Sequence, residues 1–216
     1  MQGQDQNQQA SSKRQAAYSI RNRARLIHDA QEVLAVIGLE ATMEQVAAHI
    51  GVSPTTIYKY FGSKEALLSE AFLQIWEEWL TWSHEAETPC ESLESLVVTS
   101  RKFVRVKQTH PFFGKVLRKV LGNSEFLVNE LSGPSKVALR SLAKKGEIAG
   151  DDLDIKVLLW SQAEAGIFSG VHATEVLTPT EADYALGLSL KLFNVSDDKI
   201  EKWLSKDLKL TVATSE

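Results

Sequence analysis

Apolar residues that recur every three to four positions dominate the chain and predict helices along most of its length. The first stripe contains Leu26, Ala30, Val33 and Ile37 and ends at Gly38, as expected where a helix stops in a left-handed residue. Similar stripes, separated by glycine, proline and capping residues, predict helices over residues 18–37, 42–50, 53–61, 63–84, 91–108, 111–122, 124–145, 152–176, 180–194 and 197–206. No useful run alternates between apolar and polar residues, so the predicted fold class is all-α.

Two short helices joined by a tight turn follow the first helix. Thr42 and Gln45 fit a capping box, Gly51 permits a sharp exit, and Ser53 is a good N-cap with Pro54 in the first helical position. This is the helix-turn-helix pattern, whose second helix enters the major groove of DNA. Many helical proteins contain two capped helices, however, so the pattern alone leaves a purely structural role open.

The longer string TMEQVAAHIGVSPTTIYKYFGSKEALL, from Thr42 to Leu68, is more specific. It resembles the DNA-binding domain of the tetracycline-repressor (TetR) family, and the resemblance extends over about residues 20–72. The positions that match the family pattern are Thr42, Ala47, Gly51-Val52-Ser53, Thr56-Ile57-Tyr58, Tyr60-Phe61, Ser63-Lys64-Glu65 and Leu67-Leu68. The remaining two thirds of the chain fit the family only in length, helical character and order.

The resemblance implies an N-terminal three-helix DNA-binding domain and a larger helical domain for ligand binding and dimerisation. The corresponding expected divisions are a disordered polar tail over 1–15, the helix-turn-helix domain over 16–63, a connecting helix over 64–84 and the ligand-binding and dimerisation domain over 85–210. The resemblance also implies a homodimer on a palindromic DNA operator, and a repressor that a small molecule releases from that operator.

Roles at the DNA are carried over from the family by position. Thr42, Tyr58 and Lys64 would contact phosphates. The recognition-helix positions that face or flank the bases would be Ser53 as the cap, then Pro54, Thr55, Thr56, Lys59 and Tyr60. Glu44 departs from the basic residue that some members have there; it would accept from a cytosine amine or avoid the DNA. The alternative is that Tyr58 and Tyr60 are ordinary aromatic residues at the edge of the core and that Lys64 is a solvated surface charge.

The net charge is −4, but the basic and acidic residues are distributed unevenly along the chain. The first 64 residues carry seven Lys/Arg and five Asp/Glu, whereas the rest carries seventeen and twenty-three. A basic N-terminal region followed by an acidic remainder is typical of proteins that bind nucleic acid through one end. The basic residues between Asp5 and Asp29 are Lys13, Arg14, Arg21, Arg23 and Arg25, and by resemblance the last three would lie near the DNA backbone. A solvated charge run is the alternative.

Aromatic residues and a few polar ones suggest a pocket in the C-terminal two thirds. The candidate lining residues are Trp76, Trp79, Phe103, Phe112, Phe113, Trp160, Glu164, Phe168 and His172. Aromatics at helical spacing are more often core, but ligand cavities in helical bundles have the same composition. The effector would be largely apolar. By resemblance, the small residues in 155–176 and 180–194 would bring the last long helices together in a dimer interface; the alternative is a monomer core.

Other classes of function lack support in the sequence. The lone Cys90 and five scattered histidines suggest neither a disulfide framework nor a metal site, and no phosphate loop or catalytic motif predicts a cofactor or an enzyme. The polar N-terminus and the absence of a long apolar run favour a cytoplasmic protein. The alternative function is a DNA-binding protein without a small-molecule ligand, whose helical body docks a protein partner. A helical enzyme with a merely structural helix-turn-helix is a third, weaker hypothesis.

Overall fold

The computed structural model describes residues 2–84, 92–121, 132–172, 177–208 and 210, and its regular elements within those ranges are all helical. They are α1 (Gln2–Val36), α2 (Met43–Ile50), α3 (Pro54–Phe61), α4 (Lys64–His84), α5 (Leu93–Phe103), α6 (Val106–Thr109), α7 (Pro111–Val120), α8 (Gly133–Lys144), α9 (Leu153–His172), α10 (Pro179–Leu190), a 3-10 turn (Lys191–Phe193) and α11 (Asp197–Leu204). The predicted all-α fold class is confirmed.

The chain divides into two compact units, Met1–Trp76 and Glu77–Glu216. The first contains α1 to α3 and the beginning of α4. Its core consists mainly of small and aliphatic side chains with two aromatic ones, and includes Leu26, Ala30, Val33, Leu34, Val46, Ala47, Ile57, Leu67, Leu68, Ala71, Phe72 and Trp76. The apolar stripes predicted from the sequence therefore form this core.

The first helix begins at Gln2, much earlier than the predicted start near residue 18. It therefore passes through the residues for which the sequence predicted a disordered polar tail. From residue 4 to Val36 the chain has neither glycine nor proline, and its Gln, Ala and Arg residues have good helix propensities. The polar composition that suggested disorder is equally compatible with an extended helix.

The second unit is built around α5, which packs against α8, α10 and α11. One buried cluster contains Leu93, Leu96, Val97, Ala138, Leu139, Leu142, Ile148, Val157, Trp160, Leu190, Phe193 and Ile200. The predicted helix over 180–194 ends earlier than expected, at Leu190, and Asn194 takes a left-handed φ of 57° after the 3-10 turn. Of the predicted helix over 124–145, residues 124–131 lie outside the described residues.

The predicted helix over 91–108 is interrupted at residues 104 and 105, and Arg105 explains how the break is tolerated. Its backbone N–H donates to the Lys102 carbonyl at 3.0 Å, one residue short of an α-helical bond. The Arg101 carbonyl, which loses that partner, accepts instead from Nη1 of Arg105 at 2.8 Å. Because a buried carbonyl needs a donor, the guanidinium replaces the missing backbone bond.

Arg101 and Arg105 also share one carboxylate, which joins α5 to α10. Asp183 accepts from Nε of Arg101 at 3.1 Å and from both terminal nitrogens of Arg105 at 2.9 and 2.7 Å. Nη1 of Arg101 further donates to the carbonyls of Trp203 and Lys206, each at 2.9 Å. These three charged side chains are almost completely buried, so each depends on its partners for solvation.

We expect Asp183→Asn to reduce the free energy of unfolding by about 3–5 kcal/mol, because two buried arginines lose their common carboxylate. Urea denaturation measures this change. The matched control is Asp197→Asn, which breaks the exposed pair with Lys191 and should cost less than about 1 kcal/mol. Equal losses in the two variants would contradict the role assigned to the buried cluster.

Candidate functional site

The turn between α2 and α3 is defined by local hydrogen bonds. Oγ1 of Thr42 accepts from the Gln45 N–H at 3.2 Å, and the Gln45 side chain accepts from the Thr42 N–H at 2.8 Å, which completes the predicted capping box. Gly51 ends α2 with φ 74° and ψ 36°, a conformation that glycine adopts without strain. Ser53 then caps α3 by accepting from the Thr56 N–H at 3.2 Å.

One side of α3 is buried and the other is free. Ile57 is completely buried in the first unit and thereby fixes the rotation of the helix about its axis. The rest of the helix surface exposes Pro54, Thr55, Tyr58 and Lys59, of which Thr55 and Lys59 lie opposite Ile57. Tyr58 is 55% exposed, so the alternative that it is a core-edge aromatic does not hold. An exposed phenol and ammonium beside a capped helix N-terminus form a surface suited to phosphates and base edges.

Two predicted recognition residues are less accessible. Thr56 is half-buried, and its hydroxyl lies 3.0 Å from that of Ser53. Tyr60 is also half-buried; its hydroxyl lies 3.5 Å from Nδ2 of Asn22, and Nζ of Lys59 lies 5.7 Å from the centre of its ring. Tyr60 therefore links α3 to α1 at the edge of the exposed surface.

Glu44 is exposed in the first turn of α2. An acid at this position is stabilised by the partial positive charge of the helix N-terminus, so its presence has a structural reason independent of DNA. Thr42 likewise has a structural task, because its side chain is an acceptor in the capping box. Its hydroxyl proton is not used by that bond.

The basic residues of α1 separate into two groups. Arg21 and Arg25 are exposed, and Arg25 makes only a 3.8 Å contact with Asp29. Arg23 instead makes a two-pronged ion pair with Glu70 of α4, and its guanidinium carbon lies 4.7 Å from the centre of the Phe61 ring. Arg23 thus joins α1 to α3 and α4. The sequence offered no sign of this pairing, because Glu70 lies 47 residues further along the chain.

Lys64 begins α4 and is mostly buried, with 22% of its side chain exposed. Its Nζ donates to the Leu39 carbonyl at 3.4 Å and lies 3.1 Å from Oε1 of Glu65. The ammonium group is therefore held near the turn between α1 and α2, and the alternative of a freely solvated charge does not hold. A phosphate would have to share Lys64 with these partners.

Four of the nine predicted pocket residues come together in the second unit. The ring of Phe103 lies 5.0 Å from Trp79, 6.2 Å from Phe113 and 4.3 Å from Phe168, measured between centroids. All four side chains are buried. We call this group the aromatic cluster. Trp82 was not predicted, although its ring lies 6.4 Å from that of Trp79.

Three other predicted pocket aromatics lie outside the aromatic cluster. Trp160 packs 5.8 Å from Phe193 in the aliphatic core, Phe112 is exposed, and Trp76 is buried in the first unit. The side chain of His172 lies outside the described residues. A surface cleft of about 510 Å³, which Ser92, Glu94 and Trp203 help to line, includes none of the predicted residues.

Glu164 is the polar group next to the aromatic cluster. It is 2% exposed, and its Oε1 accepts from Oγ of Ser100 at 2.9 Å. Burial raises the pKa of Glu164 from its ordinary value of 4.5 to about 7, and the nearby polar groups of Ser135, Ser100 and Trp160 oppose the shift. Neither serine was singled out from the sequence, because hydroxyls on helical faces are common.

No group of three or more His, Cys, Asp or Glu side chains in the described part of the chain is arranged to hold a metal ion. No described helix combines the length and the apolar character that a membrane span requires.

Comparison with known proteins gives a consistent picture. Residues 26–71 match the profile of the family described as "Bacterial regulatory proteins, tetR family". The HTH-type transcriptional regulator RutR of Escherichia coli strain K12 is 28% identical over 142 residues, which cover 65% of this chain and 66% of RutR. The alignment thus spans slightly less than two thirds of that relative.

Solved structures resemble this chain over most of its length. RolR in complex with resorcinol superposes with a TM-score of 0.64 at 17% identity and covers 91% of this chain and 100% of RolR. GusR of Salmonella enterica superposes with a TM-score of 0.54 at 22% identity and covers 80% of this chain and 95% of GusR. At such identities the likeness establishes the fold.

A capped, outward-facing helix held by a short helix-turn-helix is the arrangement that DNA-binding domains use in the major groove. The profile match falls on that unit and on the string from Thr42 to Leu68, and the fold of the whole chain agrees. Residues 26–71 are thus similar to the DNA-binding domain of the TetR family of bacterial regulatory proteins.

We expect the stability of the protein to fall as pH rises from about 4.5 to about 7, since the unfolded Glu164 carboxyl loses its proton in this window whereas the buried one keeps it. The loss approaches about 3 kcal/mol and is complete above the folded-state pKa. Urea denaturation of the native protein and of Glu164→Gln at about pH 5 and about pH 8 measures it.

The free energy of unfolding of Glu164→Gln, taken relative to that of the native protein, should therefore be higher at the higher pH. Glu201→Gln, which changes an exposed glutamate of α11, serves as the control and should show no such dependence. The same difference at both pH values for Glu164→Gln would contradict the assigned cause.

Proposed function

We propose that the protein is a repressor that binds a palindromic operator as a homodimer and leaves it when a small, largely apolar molecule binds the second unit. The observation that carries the proposal is the exposed side of α3, where Thr55, Tyr58 and Lys59 project from a helix whose opposite side is buried. An isolated helix of eight residues would be unstable, so its packing presents these side chains in a fixed orientation.

In this proposal Thr55 and Lys59 read base edges in the major groove, with Pro54, Thr56 and Tyr60 beside them. Tyr58, Thr42 and Lys64 contact phosphates. Exposed Arg21 and Arg25 contribute to the attraction of the DNA backbone. The bonds of Arg23 to Glu70 change its proposed role from a phosphate ligand to a residue that positions α1 against α4.

Dimerisation is supported by apolar side chains that the single chain leaves in solvent. Ile155, Leu158 and Leu159 project from α9, and Tyr184 and Leu188 project from α10, which packs beside it. Their spacings of three and four residues place them along one side of each helix. Exposed apolar stripes on adjacent helices are typical of an interface, and a second copy of the same two helices would cover them.

The aromatic cluster supports a small-molecule effector over a docked protein. Trp79, Phe103, Phe113 and Phe168 are buried, so they do not form an exposed apolar groove for a partner. An effector would act by binding more tightly to the arrangement that does not fit the operator, which shifts the population away from DNA.

Binding to DNA from the region upstream of the protein's own gene, followed by gel shift over a range of salt concentrations, tests the DNA contacts. Tyr58→Ala and Lys64→Ala should each weaken binding, because each loses a phosphate contact. Lys64→Ala should also reduce the slope of log affinity against log salt by about one, because a cation and its released counterion are lost, whereas the neutral Tyr58 should leave the slope nearly unchanged. Lys144→Ala, at an exposed position of α8, is the control and should change neither quantity.

Unchanged affinity and salt slope in both variants would overturn the phosphate roles. The absence of sequence-specific binding by the native protein at moderate salt would overturn the proposed function itself. Thermal melting of each variant separates a lost contact from a lost fold, which matters for Lys64 because it also bonds to the Leu39 carbonyl.

Leu188→Glu should convert the dimer to a monomer, because it places a charge in the centre of the proposed apolar interface. Size-exclusion chromatography with light scattering at micromolar concentration measures the mass. Val137→Glu replaces another exposed apolar residue, on α8, and should leave the dimer intact. A native protein that is monomeric, or a dimer that survives Leu188→Glu, would contradict this interface.

A further inference from the structure

Glu164 and Ser100 form a buried polar pair at the edge of the aromatic cluster. On α9, Glu164 lies one turn before Phe168; on α5, Ser100 lies one turn before Phe103. The two aromatic rings meet at a centroid distance of 4.3 Å, and the hydroxyl of Ser100 donates to the carboxyl at 2.9 Å. The same faces of the two helices thus bring the carboxyl group and the aromatic rings together.

One carboxyl oxygen of this pair is not satisfied. Oε1 of Glu164 accepts from Ser100, whereas Oε2 is buried and has no hydrogen-bond partner with acceptable geometry among the described residues. A buried polar atom without a partner costs free energy, and native proteins seldom leave one without a reason.

The nearest cations along α5 do not neutralise this carboxyl group. Arg101 bonds to Asp183 and to backbone carbonyls, and Nζ of Lys102 donates to the Ser83 carbonyl at 2.8 Å. Burial also raises the pKa of Glu164 to about 7, as expected for a carboxyl group without an ionic partner. Above that pKa the group is a carboxylate, whose Oε2 can only accept a hydrogen bond.

We propose that Oε2 of Glu164 anchors the effector by accepting a hydrogen bond from a hydroxyl or amine N–H of a compact aromatic molecule, whose ring packs against Phe103 and Phe168. The inference rests on the proposed ligand-responsive function and adds the chemical class of the effector. Carboxylic acids are excluded because their anions would repel Glu164, and molecules that only accept hydrogen bonds leave Oε2 unpaired.

Isothermal titration with matched probes at about pH 8, where Glu164 is ionised, tests the anchor. The donors are para-ethylaniline and para-ethylphenol, para-ethyltoluene has the same shape without a donor, and para-methylacetophenone only accepts. The native protein should bind the donors at least about ten-fold more tightly than the other two, as expected for a hydrogen bond to a buried acceptor.

Substitution of Glu164 should change this order of affinities. In Glu164→Gln, Ser100 still donates to the side-chain oxygen, so the amide N–H₂ takes the place of Oε2 and the preference should shift from the amine toward the acetophenone. Glu164→Leu should bind the four probes with similar affinities. Glu201→Gln, on the exposed side of α11, is the control and should keep the native order.

A merely structural role would change all affinities by a similar factor without changing their order. The proposal is overturned if the native protein binds none of the probes, if it binds them all equally, or if Glu164→Gln keeps the native order. Thermal melting of each variant confirms that it is folded.

Release of operator DNA by the same probes, followed by gel shift, separates this inference from the proposed function. Donor-selective binding that leaves the DNA complex intact would support the anchor and contradict the ligand-released repressor. Release by para-ethyltoluene that is unaffected by Glu164→Gln would support the repressor and overturn the anchor.

Discussion

The burial of Ile57 is the constraint on which the DNA-binding surface depends. A helix as short as α3 gains little from its own hydrogen bonds, so its position must come from packing. Ile57 is fully buried in the core of the first unit, and it sets which side of α3 faces outward. The caps at Ser53 and Gly62 then fix where the helix begins and ends. Exposed Tyr58 and Lys59 follow from that arrangement.

The charged residues of each unit differ in how completely they are paired. In the first unit, Arg23 is held by Glu70 and Phe61, while Arg21 and Arg25 remain exposed. In the second, Asp183 is enclosed by Arg101 and Arg105, whereas Oε2 of Glu164 has no hydrogen-bond partner with acceptable geometry among the described residues. A fully paired buried cluster fixes the fold, and an incompletely paired one is the feature expected of a site that accepts a further group.

Local signals made the helix-turn-helix predictable, because caps and turns depend on residues a few positions apart. Thr42, Gly51 and Ser53 therefore occupy the roles predicted from the sequence. Long-range partners could not be predicted: Glu70 reaches Arg23 over 47 residues, and Ser100 reaches Glu164 over 64. The aromatic residues were recognised as a set, but helical spacing alone could not separate Trp160, which packs in the aliphatic core, from the rings of the aromatic cluster.

In the proposed function, two outward-facing α3 helices of a dimer read two half-sites on DNA. Hydroxyl-radical footprinting of the region upstream of the gene tests it most directly. We expect protection of two half-sites related by a pseudo-two-fold axis, with centres spaced by one helical turn of roughly 34–36 Å or a multiple of it. Protection of a single, asymmetric site, or no protection at moderate salt, would contradict it.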